Sequence, residues 1–132
     1  MHEGGCMCGA VRIRARGEPF GAPYCHCQDC RKSTGAPVSL LVGYEEEQVQ
    51  VERGVPNVYE SSPGVRRLFC GDCGTSISYE DDRLPGEIYI HVGIFDDPAA
   101  FGPTVHSWHS QRLEYINILD DLPRHHESSR PR

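Results

Sequence analysis

Seven cysteines in three short clusters constrain this chain more than any other feature. Cys6-Met7-Cys8 is C-x-C, Cys25-His26-Cys27-Gln28-Asp29-Cys30 is C-x-C-x-x-C, and Cys70-Gly71-Asp72-Cys73 is C-x-x-C. Spacings this short let two sulfurs converge on one ion with little strain in the loop between them, and tetrahedral zinc takes such sulfurs at about 2.3 Å. One pair cannot complete a tetrahedron, so two pairs from distant segments must meet. The simplest partition joins Cys6, Cys8, Cys70 and Cys73 in one closed site. Cys25, Cys27 and Cys30 then form a second site with three protein ligands, so that two zinc ions are expected per chain. Closed sites are usually structural, whereas three ligands and an open position form the catalytic pattern.

Other uses of the thiols are weighed against this one. A disulfide framework would leave one of seven cysteines unpaired, and a C-x-x-C alone is shared with redox dithiols. Gly9 after Cys8 and Gly74 after Cys73 favour metal, because glycine lets the backbone turn back and aim N–H groups at sulfur. A histidine could still close the second site, with His26, His91, His106 and His109 as candidates. His26 lies between two ligands and is expected to point away from the metal. His91 has the opposite parity to Ile88, Ile90 and Val92, which reads as a surface strand histidine. His106 and His109 frame Trp108 as a packed aromatic corner.

Around the clusters the pattern is that of short strands. Val11 and Ile13 alternate with Arg12 and Arg14, Val49 and Val51 with Gln48, Gln50 and Glu52, Ile77 and Tyr79 with Ser76 and Ser78, and Ile88, Ile90 and Val92 with Tyr89 and His91. Ile116 and Ile118 flank Asn117 in the same manner, and residues 39–42 read as a shorter buried strand. Cys27 to Thr34, stopped by Gly35, predicts one or two helical turns. Asp96 to Phe101 predicts a short helix with Pro98 at its first position. The fold class expected is mostly β, with short helical turns. With 38% hydrophobic residues, 14 Gly and 10 Pro, the core is modest and metal cross-links would support it. One domain is expected over residues 1–123, followed by a disordered tail over 124–132 that lacks apolar residues.

Charge and hydropathy exclude some partners. The formal charge is −6, and two zincs with seven thiolates take it to −9, which repels phosphate backbones; no nucleic-acid partner is expected. No apolar run approaches the ~20 residues that span a bilayer. The N-terminus shows no signal peptide, so the expected compartment is the cytoplasm, where thiols stay reduced.

Four segments together resemble the glutathione-dependent formaldehyde-activating enzyme family, which also includes centromere protein V. They are Gly4 to Arg12 (GGCMCGAVR), Cys25 to Arg31 (CHCQDCR) with Gly35, Ser61 to Thr75 (SSPGVRRLFCGDCGT), and Val92 to Pro98 (VGIFDDP), followed by Pro103 and His106. The resemblance implies a β-tent of small antiparallel sheets tied by zinc. It implies that Cys6, Cys8, Cys70 and Cys73 hold the structural zinc and Cys25, Cys27 and Cys30 the catalytic zinc, in agreement with the partition from spacing. It also implies addition of glutathione to formaldehyde, formally a carbon–sulfur lyase reaction. The tryptophan often found near the start of the family's last strand is replaced by Tyr115 or Ile116.

The expected chemistry follows from charge. Three thiolates around Zn²⁺ leave a net −1, a weaker Lewis acid than a three-histidine zinc, and soft ligands suit a fourth sulfur. The natural role is to hold a small-molecule thiol as its thiolate for attack on a small aldehyde. Arg31, next to Cys30, is expected to offset the charge and attract an anionic substrate. Lys32, Arg66 and Arg67 are the other cations near cysteine motifs, and His26 or His106 could move the proton. The competing readings are a zinc-stabilised binding module without turnover and a thiol redox protein.

Overall fold

The computed structural model describes residues 1–130 and is mostly β. Strands β1 (His2–Gly5), β2 (Arg12–Ala15) and β5 (Val49–Arg53) form a three-stranded antiparallel sheet in the order β1-β2-β5. The second sheet contains β3 (Pro23–Cys25), β4 (Ser39–Glu45), β6 (Asn57–Ser62), β7 (Val65–Phe69), β8 (Ser76–Asp81), β9 (Glu87–His91) and β10 (Val105–Ser107). Its order is β10-β3-β4-β9-β8-β7-β6, antiparallel except for the β10–β3 pair. The helix α1 (Gln28–Thr34) follows β3 directly.

The alternation of side chains explains how one sheet serves two clusters of apolar residues. In β4 and β9, Val42, Tyr44 and Ile90 face the main core, which β2 closes with Ile13 and Ala15. Leu41 and Tyr89 face the opposite side and pack with Cys25, Cys30 and Leu84. The central strands are therefore covered on both faces. This corrects the reading of His91 as a surface histidine: it is 9% exposed and stands on the covered second face.

Two further expectations give way. Ile116 and Ile118 are in no strand; the guanidinium of Arg124 donates to the Ile118 carbonyl at 2.9 Å and holds that stretch as an irregular loop. The segment 124–130, read as a disordered tail, lies along β10 and the turn after it. His106 N–H donates to Pro123 O, His125 N–H to His106 O and Trp108 N–H to Glu127 O, each at 2.8 Å. Arg130 ends this run in an ion pair with Glu87. Residues 131 and 132 lie outside the described residues. The expected helix at Asp96–Phe101 is a single 3₁₀ turn, Pro98–Ala100, with Pro98 at its start. Among the described residues no helix is long and apolar enough to cross a membrane.

Candidate metal centres and active site

The four-cysteine cluster is built from two tight turns in different sheets. Cys6 and Cys8 stand in the turn between β1 and β2, and Cys70 and Cys73 in the turn between β7 and β8. Each turn is closed across its base, by Cys6 N–H to Val11 O at 3.0 Å and by Cys70 N–H to Thr75 O at 3.0 Å. Gly9 and Gly74 take φ of 81° and 80°, the left-handed conformation that brings the chain back. Backbone groups then reach the sulfurs as expected: Val11 N–H donates to Cys6 Sγ at 3.2 Å. Met7 N–H donates to Thr75 Oγ1 and ties the two turns together. The four Sγ atoms lie within 4.8 Å of one another. Cys6 to Cys8 is 3.6 Å and Cys8 to Cys70 is 3.8 Å, against a tetrahedral edge of about 3.8 Å for zinc–sulfur bonds of about 2.3 Å. Cys6 and Cys70 are buried in the main core, while Cys8 and Cys73 face the surface.

The three-cysteine cluster is local. Cys25 ends β3, Cys27 is the N-cap of α1, and Cys30 lies in its first turn, with Cys30 N–H donating to Cys27 Sγ at 3.3 Å. The helix ends at Gly35 in the left-handed conformation, as the sequence predicts. The three Sγ atoms also lie within 4.8 Å of one another, with Cys25 and Cys27 3.4 Å apart. Among the described residues no histidine, aspartate or glutamate atom joins this group. Without metal the sulfurs compete for protons. Hydrogen bonds from the Cys25 and Cys30 thiols pull Cys27 far down, to about 2, while hydrogen bonding to Cys27 pushes Cys25 up. A set of three convergent sulfurs, one already biased toward thiolate, fits a soft divalent ion.

All three sulfurs open into one cavity of about 330 Å³, at the lower end of the range for small-molecule sites. Leu41, Leu84, Tyr89 and Trp108 supply apolar wall, and Arg67, Arg83 and Arg130 bring charge. Trp108 holds φ of 53°, a left-handed conformation rare for a bulky residue, at the turn where the chain leaves β10.

The structure relocates the supporting residues. Arg31 does not face the cavity; its Nη1 donates to the carbonyls of His26 and Gln111 at 2.6 and 2.7 Å, which pins α1 to the segment after β10. The cation that does approach the cluster is Arg67 on β7, with Nη1 3.9 Å from Cys30 Sγ and 3.3 Å from Ser33 Oγ. His26 and His106 are 2% and 1% exposed, hydrogen-bonded to each other at 2.9 Å, and neither lines the cavity. Burial holds His26 down at about 4, and His106 passes its other nitrogen to Asp120 at 3.0 Å. Their rings stack, with His109 edge-on to both, while Trp108 packs on the other side against the three-cysteine cluster. Sequence adjacency to Cys30 pointed to Arg31; Arg67 sits 37 residues away and reaches the sulfur only through the fold of β7.

A mostly β scaffold carries two convergent sulfur clusters that could each hold a metal ion, one bridging the sheets and one open to a cavity. The chain belongs to the family described as glutathione-dependent formaldehyde-activating enzyme, whose pattern it matches over residues 1–111. An uncharacterised lyase of Schizosaccharomyces pombe is 28% identical over 94 residues, covering 71% of this chain and 68% of that protein. A protein of Halomonas elongata named as a glutathione-dependent formaldehyde-activating enzyme is 27% identical over 126 residues, covering 88% and 80%. A crystal structure of a Rhodobacter sphaeroides protein matches with a TM-score of 0.61 at 23% identity, over 93% of this chain and 99% of that one, and speaks for the fold.

Proposed function

We propose that this protein is a zinc-dependent enzyme of the carbon–sulfur lyase type, which adds glutathione or a similar thiol to a small aldehyde such as formaldehyde in the reducing cytoplasm. The observation that carries this reading is the three-sulfur cluster, which opens into a cavity and has no fourth protein ligand in reach among the described residues. We assign one structural zinc to Cys6, Cys8, Cys70 and Cys73 and one catalytic zinc to Cys25, Cys27 and Cys30. When bound at the second site, zinc supplies a soft cation at which an added thiol is held in its ionised form.

The chain supplies the rest. Cys30, held at the start of α1, and Cys25, at the end of β3, fix two sulfurs on regular elements, so the open side of the cluster has a constant direction. Arg67 places its positive charge against Cys30 and offsets the net −1 of the centre. Leu41, Leu84 and Tyr89 give the site an apolar wall beside the sulfurs. In the reaction the thiol sulfur bonds to the carbonyl carbon, the carbonyl π pair moves to oxygen, and oxygen takes up the proton that the thiol released. No electrons enter or leave. A thiol of ordinary pKa near 8.5 is only about 3% thiolate at pH 7, so complete ionisation is worth about thirtyfold before any gain from proximity.

Protein purified without chelator should contain two zincs per chain by elemental analysis. Added glutathione should raise the average sulfur count in the zinc absorption spectrum, and the hydroxymethyl adduct should form faster than in buffer. Metal content near zero, or an adduct rate unchanged by the protein, would sink the reading and leave a metal-stabilised binding module as the better one.

A further inference from the structure

Among the described residues three arginines line the cavity, and they are not equivalent. Arg83 is neutralised by Asp81, with Nη2 2.9 Å from a carboxylate oxygen. Arg130 is neutralised by Glu87 at 3.1 Å. Arg67, half-buried, has no carboxylate within ion-pair distance among the described residues. Its Nε donates to Ser61 Oγ at 3.2 Å, its Nη1 is taken up by Ser33 and Cys30, and its guanidinium lies over the ring of Tyr79 at 5.0 Å from the centroid. Two neutral hydroxyls and an aromatic face orient this cation, and the Cys30 sulfur at 3.9 Å offsets it only in part. Its Nη2 makes no hydrogen bond among the described residues.

An oriented guanidinium that lines a ligand cavity and keeps one nitrogen, Nη2, free of protein partners among the described residues can still receive a carboxylate oxygen. The surroundings make this matter. The chain carries a formal charge of −6, and the three-thiolate zinc centre proposed above adds a net −1 to the same cavity, so a carboxylate entering without a matching cation would be repelled. We propose that Arg67 is the specificity-determining residue of this site, and that it selects thiols that also carry a carboxylate by pairing with that carboxylate through Nη2. The inference rests on the thiol-binding reading of the three-cysteine site. It transfers to Arg67 on β7 the anion-attracting role that sequence adjacency assigned to Arg31. The thiol end of the ligand goes to the cysteine cluster and the carboxylate to Arg67. The 3.9 Å between Nη1 and Cys30 Sγ keeps the two subsites within one small ligand.

The test is calorimetric titration of the zinc-loaded protein with glutathione and, separately, with its diethyl ester, which keeps the thiol and removes both negative charges. The wild-type protein should prefer the acid by about ten- to hundredfold, the range for one charge-assisted hydrogen-bonded pair. Arg67→Gln should lose most of that preference, and Arg67→Lys, which keeps the charge but not the planar edge, should keep part of it. Equal affinity of the wild-type protein for acid and ester overturns the inference and leaves the thiol-binding reading standing. A preference that survives in Arg67→Gln also overturns it, as does an equal loss for acid and ester, which would mean that Arg67 serves only the cluster's charge. Should Arg67→Gln not fold, Arg67→Lys decides: a reduced acid-to-ester ratio supports the inference and an unchanged one overturns it. Failure of the wild-type protein to bind either thiol rejects the inference and the enzyme reading together.

Discussion

The two cysteine clusters use similar spacings and the same kind of atom, yet they do opposite mechanical work. The four-cysteine cluster takes half its sulfurs from the turn between β1 and β2 and half from the turn between β7 and β8; Cys8 and Cys70 are 62 residues apart in sequence. It joins two sheets that otherwise meet through apolar packing and a few hydrogen bonds, such as Met7 N–H to Thr75 Oγ1 and Tyr44 O–H to Gly17 O, and two of its members, Cys6 and Cys70, are themselves part of the main core. The three-cysteine cluster lies within six residues of a strand–turn–helix and closes almost no chain. Its sulfurs face a cavity instead of a partner sheet. A metal held between distant segments would stabilise the fold, whereas one held by a local cluster would add little to it and could keep a position open for chemistry.

The largest expected effect separates the clusters by stability. Binding of a structural zinc is worth on the order of 10 kcal/mol, comparable with the whole stability of a domain. Cys70→Ser should therefore give unfolded or insoluble protein. Cys27→Ser should keep the wild-type far-ultraviolet circular dichroism and lose one zinc of two. Collapse of both variants alike would break the comparison and make the three-cysteine cluster structural too.

Acid tests the shared face of the large sheet, where His91 stands. Burial first, and then the charge of Arg67, hold His91 down at about 4. A histidine in the unfolded chain takes its proton near 6.5, so below that pH the unfolded state binds the proton and the folded state does not. Stability should fall as pH drops from 6.5 to about 4 and level off below, with a contribution of up to about 3 kcal/mol. Denaturant titrations at several pH values should show a shallower acid loss in His91→Gln than in the wild-type protein. Parallel pH profiles for the two would mean that His91 is protonated in the fold.

Catalysis gives a smaller but sharper contrast. At pH 7 the rate of adduct formation should fall by about thirtyfold or more in Cys27→Ser, the factor expected from thiol ionisation alone. The advantage of wild-type protein over buffer should shrink above pH 9, where free thiol is already ionised. An enhancement that does not change with pH would place its origin in proximity alone.

Much of this was legible in the chain before any coordinates, and the reasons are local. Ligand spacings of one or two residues, the glycines after Cys8 and Cys73, and the N-cap and C-cap of α1 are all written within a few residues of where they act. So are β2, β5, β8 and β9, whose apolar residues alternate. What was not legible depends on distant partners. The parallel pairing of β10 with β3 sets Ser107 beside Cys25, 82 residues apart, and no periodicity in a three-residue strand announces it. His91 was misplaced because alternation tells which side chains share a face but not whether the other face is covered. Residues 124–130 looked like a frayed end because they lack apolar side chains; their order comes from backbone hydrogen bonds to β10, which composition does not reveal. Likewise Arg67 comes to the sulfur cluster through sheet register, while Arg31, its neighbour in sequence, turns away.

Arg31 supplies the smallest effect and the finest test of the contrast between local and distant support. Its guanidinium donates to two backbone carbonyls, those of His26 and Gln111, so it links the three-cysteine loop to a segment 80 residues on. It is one of several long-range ties the local cluster borrows, beside Gln28 N–H to Gln111 Oε1, His26 N–H to Ser107 O and the pairing of β3 with β10. Hydrogen bonds from a charged donor are worth roughly 1.5–3 kcal/mol when buried and less when half-exposed. Arg31→Gln should therefore lower stability by roughly 1–2 kcal/mol, a shift of several degrees in melting temperature for a chain of this size. Because the guanidinium faces carbonyls and not the cavity, the ratio of affinities for glutathione and its diethyl ester should stay at the wild-type value. A fall in that ratio would return the anion-attracting role to Arg31. A loss of several kcal/mol would mean that the three-cysteine loop depends on distant ties as heavily as the four-cysteine cluster does, and the division of labour between the two clusters would have to be redrawn.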